Sequence, residues 1–220
     1  MDNINKNGNG NVLGQREIIN ELILAKKENR PANFSNKIIS DFSMLTERIS
    51  FGLNLENTKI LGPVFLGDVV MFGDLNMKGA IVNGSLYLGK ADIKKDLILE
   101  NSQINGAISL VGAKIGGNID ARGLVTVGFL SLSNTKISGD VVLENAAIES
   151  AKYDDLMVRG DAFFGTAVVK GSLNLGKMKT EGKIDLEETE VGSNLVLTGA
   201  KSKKGNIDTA TTKIGGKKII

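Results

Sequence analysis

The segment SAKYDDLMVR, residues 150–159, carries the side chains of this sequence that are best suited to acid–base or metal chemistry. Asp154 and Asp155 are adjacent carboxylates, flanked by Tyr153 and Arg159. Paired carboxylates can transfer protons or hold a divalent cation. Adjacent aspartates are also common on solvated surfaces, and the sequence places no further ligand beside these two. We therefore predict no catalytic, metal or cofactor site here, and keep Tyr153, Asp154 and Asp155 as candidate interaction residues.

Histidine and cysteine are both absent from the 220 residues. Their absence removes the commonest general base, the commonest metal ligand, and any thiolate or disulfide chemistry. Hexapeptide acyltransferases depend on histidine, and pectin-degrading β-helices use aspartate clusters on long loops. Since neither pattern occurs here, we expect no enzyme. A carbohydrate-active β-helix enzyme is the least favoured alternative.

Two other groups of residues are candidate interaction sites. Phe65 and Tyr87 lie at equivalent positions of alternate repeat units, so they would form an exposed aromatic pair. The pair could dock a partner or simply stiffen a sheet. Ile214, Ile219 and Ile220 lie near the last residues and would face an assembly interface if the final repeat is uncovered. A frayed basic tail is the alternative for that end.

These side chains must be positioned by an 11-residue repeat. It begins at Phe51, in units such as GSLYLGKADIK and GAISLVGAKIG, and slips in phase only at 150–159 before the last unit. With unit positions counted from zero, positions 2, 4, 7 and 9 are mostly apolar, position 0 is mostly Gly, and position 6 is mostly Gly, Asn or Asp. The apolar spacing predicts two short strands per unit, each with one inward face. Residues that tolerate left-handed backbone mark the corners between strands.

Two such units then close one four-sided coil, and successive coils stack in register. The predicted fold is all-β, a single-stranded β-helix with 11-residue half-coils and an N-terminal capping α-helix. We divide the chain into a disordered tail (1–14), the capping helix (15–31), the β-helix (32–215) with an irregular loop (150–159), and a basic end (216–220).

The charge is unevenly distributed along the chain. Residues 41–200 hold fifteen basic and twenty acidic groups, whereas residues 201–220 hold six Lys and one Asp. The acidity of the body is too weak for a good phosphate mimic, and it has no basic stripe for nucleic acid. No membrane span and no apolar signal-peptide core occur, so a cytoplasmic protein is expected.

The units GSLYLGKADIK and GAISLVGAKIG, with ANFSN at 32–36, resemble four-sided right-handed β-helices of the pentapeptide-repeat type. The phrase INGAISLVGAKIGGNID is similar to bactofilins, which are polymer-forming β-helical proteins. The period of 11 departs from the pentapeptide pattern. Both resemblances imply a bacterial β-helix without catalytic residues to transfer.

From these observations we expect a non-enzymatic structural or interaction scaffold that self-associates end to end through a β-helix end. The alternative is a partner-binding module of pentapeptide type, either docking a protein or mimicking DNA.

Overall fold

The computed structural model describes residues 12–149, 151–153, 156–158 and 160–220, and it is a parallel β-solenoid with four-sided coils. Four parallel sheets form its four sides, and the chain passes from sheet 1 to sheets 2, 3 and 4 in each coil. The register pairs Leu75 with Leu97 and Tyr87 with Ser109, which are equivalent positions two repeat units apart. This register confirms the predicted coil length. Within the described ranges, no helix has the length and hydropathy needed to cross a bilayer.

The strands are mostly very short, because each side bends at both ends. Sheet 1 contains Ala32–Asn33, Leu53–Asn54, Leu75–Asn76, Leu97–Ile98, Ile119–Asp120, Val141–Val142, Leu173–Asn174, Leu195–Val196 and Lys218–Ile219. Sheet 2 contains Val12–Leu13, Ile38–Ile39, Lys59–Ile60, Ile81–Val82, Gln103–Ile104, Val125–Val127, Ala147–Glu149, Lys179–Thr180 and Lys201–Ser202.

Sheet 3 contains Phe42–Ser43, Val64–Phe65, Leu86–Tyr87, Ile108–Ser109, Leu130–Ser131, Ala162–Phe163 and Ile184–Asp185. Sheet 4 contains Arg48–Ile49, Val70–Met71, Asp92–Ile93, Lys114–Ile115, Lys136–Ile137, Val168–Val169, Glu190–Val191 and Lys213–Ile214. An isolated bridge between Asp185 and Asp208 continues sheet 3 into the last coil.

Two stretches placed outside the regular coils by the sequence analysis contain strands. Val12–Leu13, within the predicted tail, pairs with Ile38–Ile39, and Lys218–Ile219, within the predicted basic end, pairs with Leu195–Val196. The predicted irregular loop contains an antiparallel pair, Ala151–Tyr153 with Leu156–Val158.

One narrow core runs along the axis and consists of the inward residues of all four sheets. Leu, Ile, Val and Ala fill most of it, while Phe34 and Phe42 meet edge to face in the first coil with ring centroids 5.4 Å apart. Small residues occupy position 7 because the chain turns sharply there. Where that residue is Thr, its hydroxyl donates to a carbonyl of the preceding coil, as Thr58 does to Phe34 at 2.8 Å. Among the described residues, no buried side-chain polar atom lacks a hydrogen-bond partner.

The two kinds of corner differ physically, which corrects the sequence analysis. The residues at position 6 have left-handed backbone, for example Asn57 (φ 53°) and Asn101 (φ 54°), as predicted. The glycines at position 0 mostly do not. At Gly106, a Cβ atom would lie 2.7 Å from the backbone of Gly84 and Ser85 in the adjacent coil. Glycine is therefore required at position 0 chiefly because neighbouring coils approach closely there.

Candidate functional site

The C-terminal coil exposes strand edges. Lys201–Ser202, Lys213–Ile214 and Lys218–Ile219 are the terminal strands of sheets 2, 4 and 1, each paired on one side only within the described chain. The carbonyls of Lys217 and Ile219 accept hydrogen bonds from Leu195 and Leu197 at 2.9 and 2.7 Å. Because successive carbonyls of a strand point to opposite sides, the N–H and C=O of Lys218 face away from the molecule. This coil can therefore accept another strand.

The predicted isoleucines surround this end with different exposure. Ile214 is half-buried and packs on the core, Ile219 is 42% exposed and Ile220 is 84% exposed. Ile220 lines a cleft of about 430 Å³, together with the apolar side chains of Leu197, Ala200 and Ile207. The last coil thus combines free backbone groups with accessible apolar side chains, which is what strand addition requires.

Lysines form a rim around the same end. Lys203 pairs with Glu181 and Lys213 pairs with Glu190, each at 2.6 Å. Lys201, Lys204 and Lys217 make no ion pair with any residue that the structure describes. The ion pair with Glu190 raises the pKa of Lys213. Lys213 therefore stays cationic at neutral pH.

The N-terminal end is covered on one half by the helix Gln15–Glu28. The helix begins after Gly14, whose N–H donates to Glu17, and ends at Asn29, which is left-handed (φ 51°). Ile18 and Ala25 are buried against the first coil. Ile19 and Ile23 belong to the same apolar stripe of the helix sequence, but they are 52% and 62% exposed.

Glu21 connects this helix to the free edge of sheet 1. Its carboxylate accepts the backbone N–H of Asn33 at 2.8 Å and pairs with Arg30 at 2.5 Å. The hydrogen bond from Arg30 lowers the pKa of Glu21, partial burial opposes this shift, and the Asn33 N–H lowers the pKa further. The Asn33 N–H, which a further strand could otherwise bind, thus donates to Glu21 of the helix instead.

The other half of the N-terminal end has a cleft of about 590 Å³ between the helix and sheets 3 and 4. Ile19, Ile23 and Leu45 form apolar parts of its wall. The Arg48 guanidinium lies over the Phe72 ring, 4.9 Å from the centroid. Coverage of this end is therefore partial.

Phe65 and Tyr87 stack on the outer face of sheet 3, as the predicted coil requires. Their ring centroids are 5.0 Å apart with an interplanar angle of 3°, and they are 37% and 39% exposed. The rings face each other and present their edges to solvent. Their role as a docking patch remains a prediction.

Charge is divided between two halves of the solenoid, a feature that the sequence analysis missed. Residues 79–89, 101–113 and 123–135 contain no charged side chain, and they form sheets 2 and 3 of three successive coils. The intervening residues, which form sheets 4 and 1, hold all the charges of this region. Several exposed apolar side chains lie on sheets 2 and 3 or at the corners that follow their strands, among them Leu61, Phe65, Ile81, Tyr87 and Val111. The signal was present in the sequence as an alternation of charged and uncharged 11-residue units.

The charged half is organised into ion pairs and backbone contacts. Arg122 pairs with Asp120 at 2.5 Å, and Lys78 pairs with Glu100 at 2.8 Å. Hydrogen bonding to Arg122 lowers the pKa of Asp120, although burial opposes the shift. Among the described residues, no group of three or more acidic side chains is placed to hold a metal ion.

Corner carboxylates and amides form a second ladder that was also missed. Asp74, Asp96, Asn118 and Asp140 each accept the backbone N–H of the equivalent residue in the next coil, at 2.6–3.0 Å. The sequence signal is Asp, Asn or Ser at position 1 of alternate units. These side chains continue the coil-to-coil hydrogen bonding around the corner, so their role is structural.

Of the remaining predicted residues, Tyr153 lies in the strand pair Ala151–Tyr153 with Leu156–Val158. The backbone of Tyr153 pairs with Leu156 there. Asp154 and Asp155 lie outside the described residues. The strand pair that contains Tyr153 is inserted in the chain between Ala147–Glu149 of sheet 2 and Ala162–Phe163 of sheet 3.

Comparison with protein-family models, with curated proteins and with solved structures finds no significant match for this chain.

Proposed function

We propose that the protein is a non-enzymatic scaffold that joins to another protein chain, in the first instance a second copy, through the strand edges of its C-terminal coil. The observation that supports this proposal is the contrast between the two ends. At the N-terminal end, Glu21 and the helix occupy the edge of sheet 1. At the other end, the terminal strands of sheets 1, 2 and 4 are paired on one side only within the described chain.

The partial cover at the N-terminal end also limits the form of assembly. The helix Gln15–Glu28 packs against Ala32–Asn33 and Val12–Leu13, the first strands of sheets 1 and 2. Stacking of a C-terminal coil on this end would require the helix to move. Contact between two C-terminal coils is therefore favoured over open-ended head-to-tail growth.

A proline substitution tests the use of this edge. Lys218→Pro removes the outward N–H while leaving the inward carbonyls of Lys217 and Ile219 in place. We expect concentration-dependent association, measured by size exclusion with light scattering, to weaken at least tenfold in this variant. Lys218→Ala, which keeps the N–H, is the matched control and should associate like the wild type. Equal association of both variants and the wild type would refute strand addition at Lys218.

We also propose a relationship to the pentapeptide-repeat or bactofilin type of β-helix, and a cytoplasmic location. The four-sided coils support the first proposal, as does ANFSN, in which Ala32 and Phe34 are fully buried. Assembly through a solenoid end is consistent with a bactofilin-like role.

A further inference from the structure

The outer face of sheet 3 carries both large and small side chains along the solenoid axis. The register places seven outward residues in one column, in the order Ser43, Phe65, Tyr87, Ser109, Ser131, Phe163 and Asp185. The first six of them carry the pattern described here. When this order is reversed about the midpoint between Tyr87 and Ser109, Tyr87 falls opposite Ser109, Phe65 opposite Ser131 and Phe163 opposite Ser43. Each large residue is thus opposite a small one. These six positions are therefore complementary to their own reverse, and Asp185 lies beyond the first coil of the reversed column.

The residues two positions further along the chain, where the chain turns after each strand of sheet 3, have a related pattern. For these six positions they are Leu45, Gly67, Gly89, Val111, Ser133 and Gly165. Leu45 and Val111 are 54% and 40% exposed. Their counterparts in the reversed order are Gly165 and Gly89, which have no side chain to collide with them.

We propose that two copies of the chain form a dimer through the outer faces of sheet 3, with their solenoid axes antiparallel. The two-fold axis of this dimer runs parallel to the strands and passes between the coil of Tyr87 and the coil of Ser109. Tyr87 then lies opposite Ser109 of the second copy, and Phe65 lies opposite Ser131. Ser131 is buried, so its position is a depression that can receive the Phe65 ring. An isologous contact of this kind is closed and yields a dimer.

The charge distribution and the area of the sheet 3 face both support a second copy of the chain as its binding partner. The strands and flanks of sheet 3 at 63–67, 85–89, 107–111 and 129–133 contain no charged residue, so pairing buries no charge along the centre of the contact. In the proposed dimer, Asp41 of one copy lies opposite Asp161 of the other. This pair of like charges is at the corner of the face, where solvent screens the repulsion. Six coils about 4.8 Å apart and sides about 17 Å wide give about 1,000 Å² of total buried surface. That area supports a reversible dimer, and the inference does not depend on the proposed contact through the C-terminal coil.

The test exchanges large and small residues at the centre of the contact. Ser109→Tyr places two tyrosines opposite each other, so we expect dimerisation to weaken at least tenfold. Within one chain, the introduced ring stacks on Tyr87, so the melting temperature should be unchanged or higher. The double variant Tyr87→Ser with Ser109→Tyr restores one large and one small residue in each pair and should dimerise like the wild type. An equimolar mixture of Tyr87→Ser and Ser109→Tyr chains should form heterodimers.

Sedimentation equilibrium of the full chain up to about 0.5 mM provides the measurement, repeated in the Lys218→Pro background to remove contact through the C-terminal coil. Val70→Tyr, which adds the same ring to the outer face of sheet 4, is the control and should not change association. If the Lys218→Pro variant is monomeric at every concentration measured, the proposal is wrong. A dimer that is insensitive to Ser109→Tyr would also overturn it, as would a stable double variant that stays monomeric.

Discussion

At the residue scale, each repeat position is occupied for a distinct physical reason. Position 6 needs left-handed backbone, which Asn57 and Gly79 adopt readily, and Lys90 (φ 56°) shows that the fold also imposes it on less suitable residues. Position 0 needs the absence of a side chain, because the next coil lies against it. The same residue type, glycine, thus serves different purposes at the two corners.

Gly106 and Gly67, a glycine with no close backbone neighbour, test the close-approach explanation experimentally. Gly106→Ala places a Cβ atom 2.7 Å from the backbone of Gly84, whereas Gly67→Ala meets its nearest atom, the Gly89 carbonyl oxygen, at 3.5 Å. We expect Gly106→Ala to lower the free energy of unfolding by about 1–3 kcal/mol. Gly67→Ala should change it by less than about 0.5 kcal/mol. Urea unfolding followed by circular dichroism measures both, and equal effects would contradict the close-approach explanation.

At the scale of single elements, the N-terminal helix acts through one carboxylate as well as through its apolar face. Glu21 holds the Asn33 N–H and Arg30, and these bonds are made by the ionised form. Exposed Ile19 and Ile23 show that the helix covers less of the first coil than its sequence suggests.

This contact predicts a pH dependence. Since the pKa of Glu21 in the folded protein is lowered from 4.5, its stabilisation is fully present above about pH 4.5 and is lost as the pH falls through the folded-state pKa. Glu21→Gln should lower the free energy of unfolding at pH 7 by about 1–2 kcal/mol and by less at pH 3. Urea unfolding at both pH values provides the comparison. Glu47→Gln, at an exposed site, should cause no such change, and a pH-independent effect of Glu21→Gln would count against the ionic contact.

At the scale of the whole molecule, the solenoid presents surfaces of different chemistry. Its C-terminal coil is cationic, with six Lys and one Asp in residues 201–220. The outer face of sheet 3 is uncharged in four successive coils. Association through these two surfaces should therefore respond differently to salt.

Two C-terminal coils in contact bring their lysine rims together. Raising the ionic strength from about 10 to about 150 mM shortens the screening length from about 30 to about 8 Å. Association in the Ser109→Tyr background, which leaves only the C-terminal contact, should therefore strengthen with salt. Association in the Lys218→Pro background should be nearly insensitive to salt. Light scattering at the two salt concentrations measures both, and weakening of the C-terminal contact by salt would indicate an attractive ionic contact instead.

The sequence by itself determined the coil of two repeat units, the inward positions, the left-handed corners at position 6 and the stacking of Phe65 on Tyr87. Each of these follows from a pattern that recurs in many units, so an exceptional residue in one unit does not obscure it. The helix at 15–28 was also predictable, because its apolar spacing and its end before Pro31 are local properties.

Only the tertiary structure decided which surfaces are continuous. The uncharged half exists because alternate 11-residue units fall on the same two sides, which requires the coil to close. The close approach at Gly106, the carboxylate ladder from Asp74 to Asp140 and the edge contact of Glu21 all join residues that are distant in sequence. Contacts between coils depend on register and on the distance between backbones, and neither quantity can be read from residue types alone.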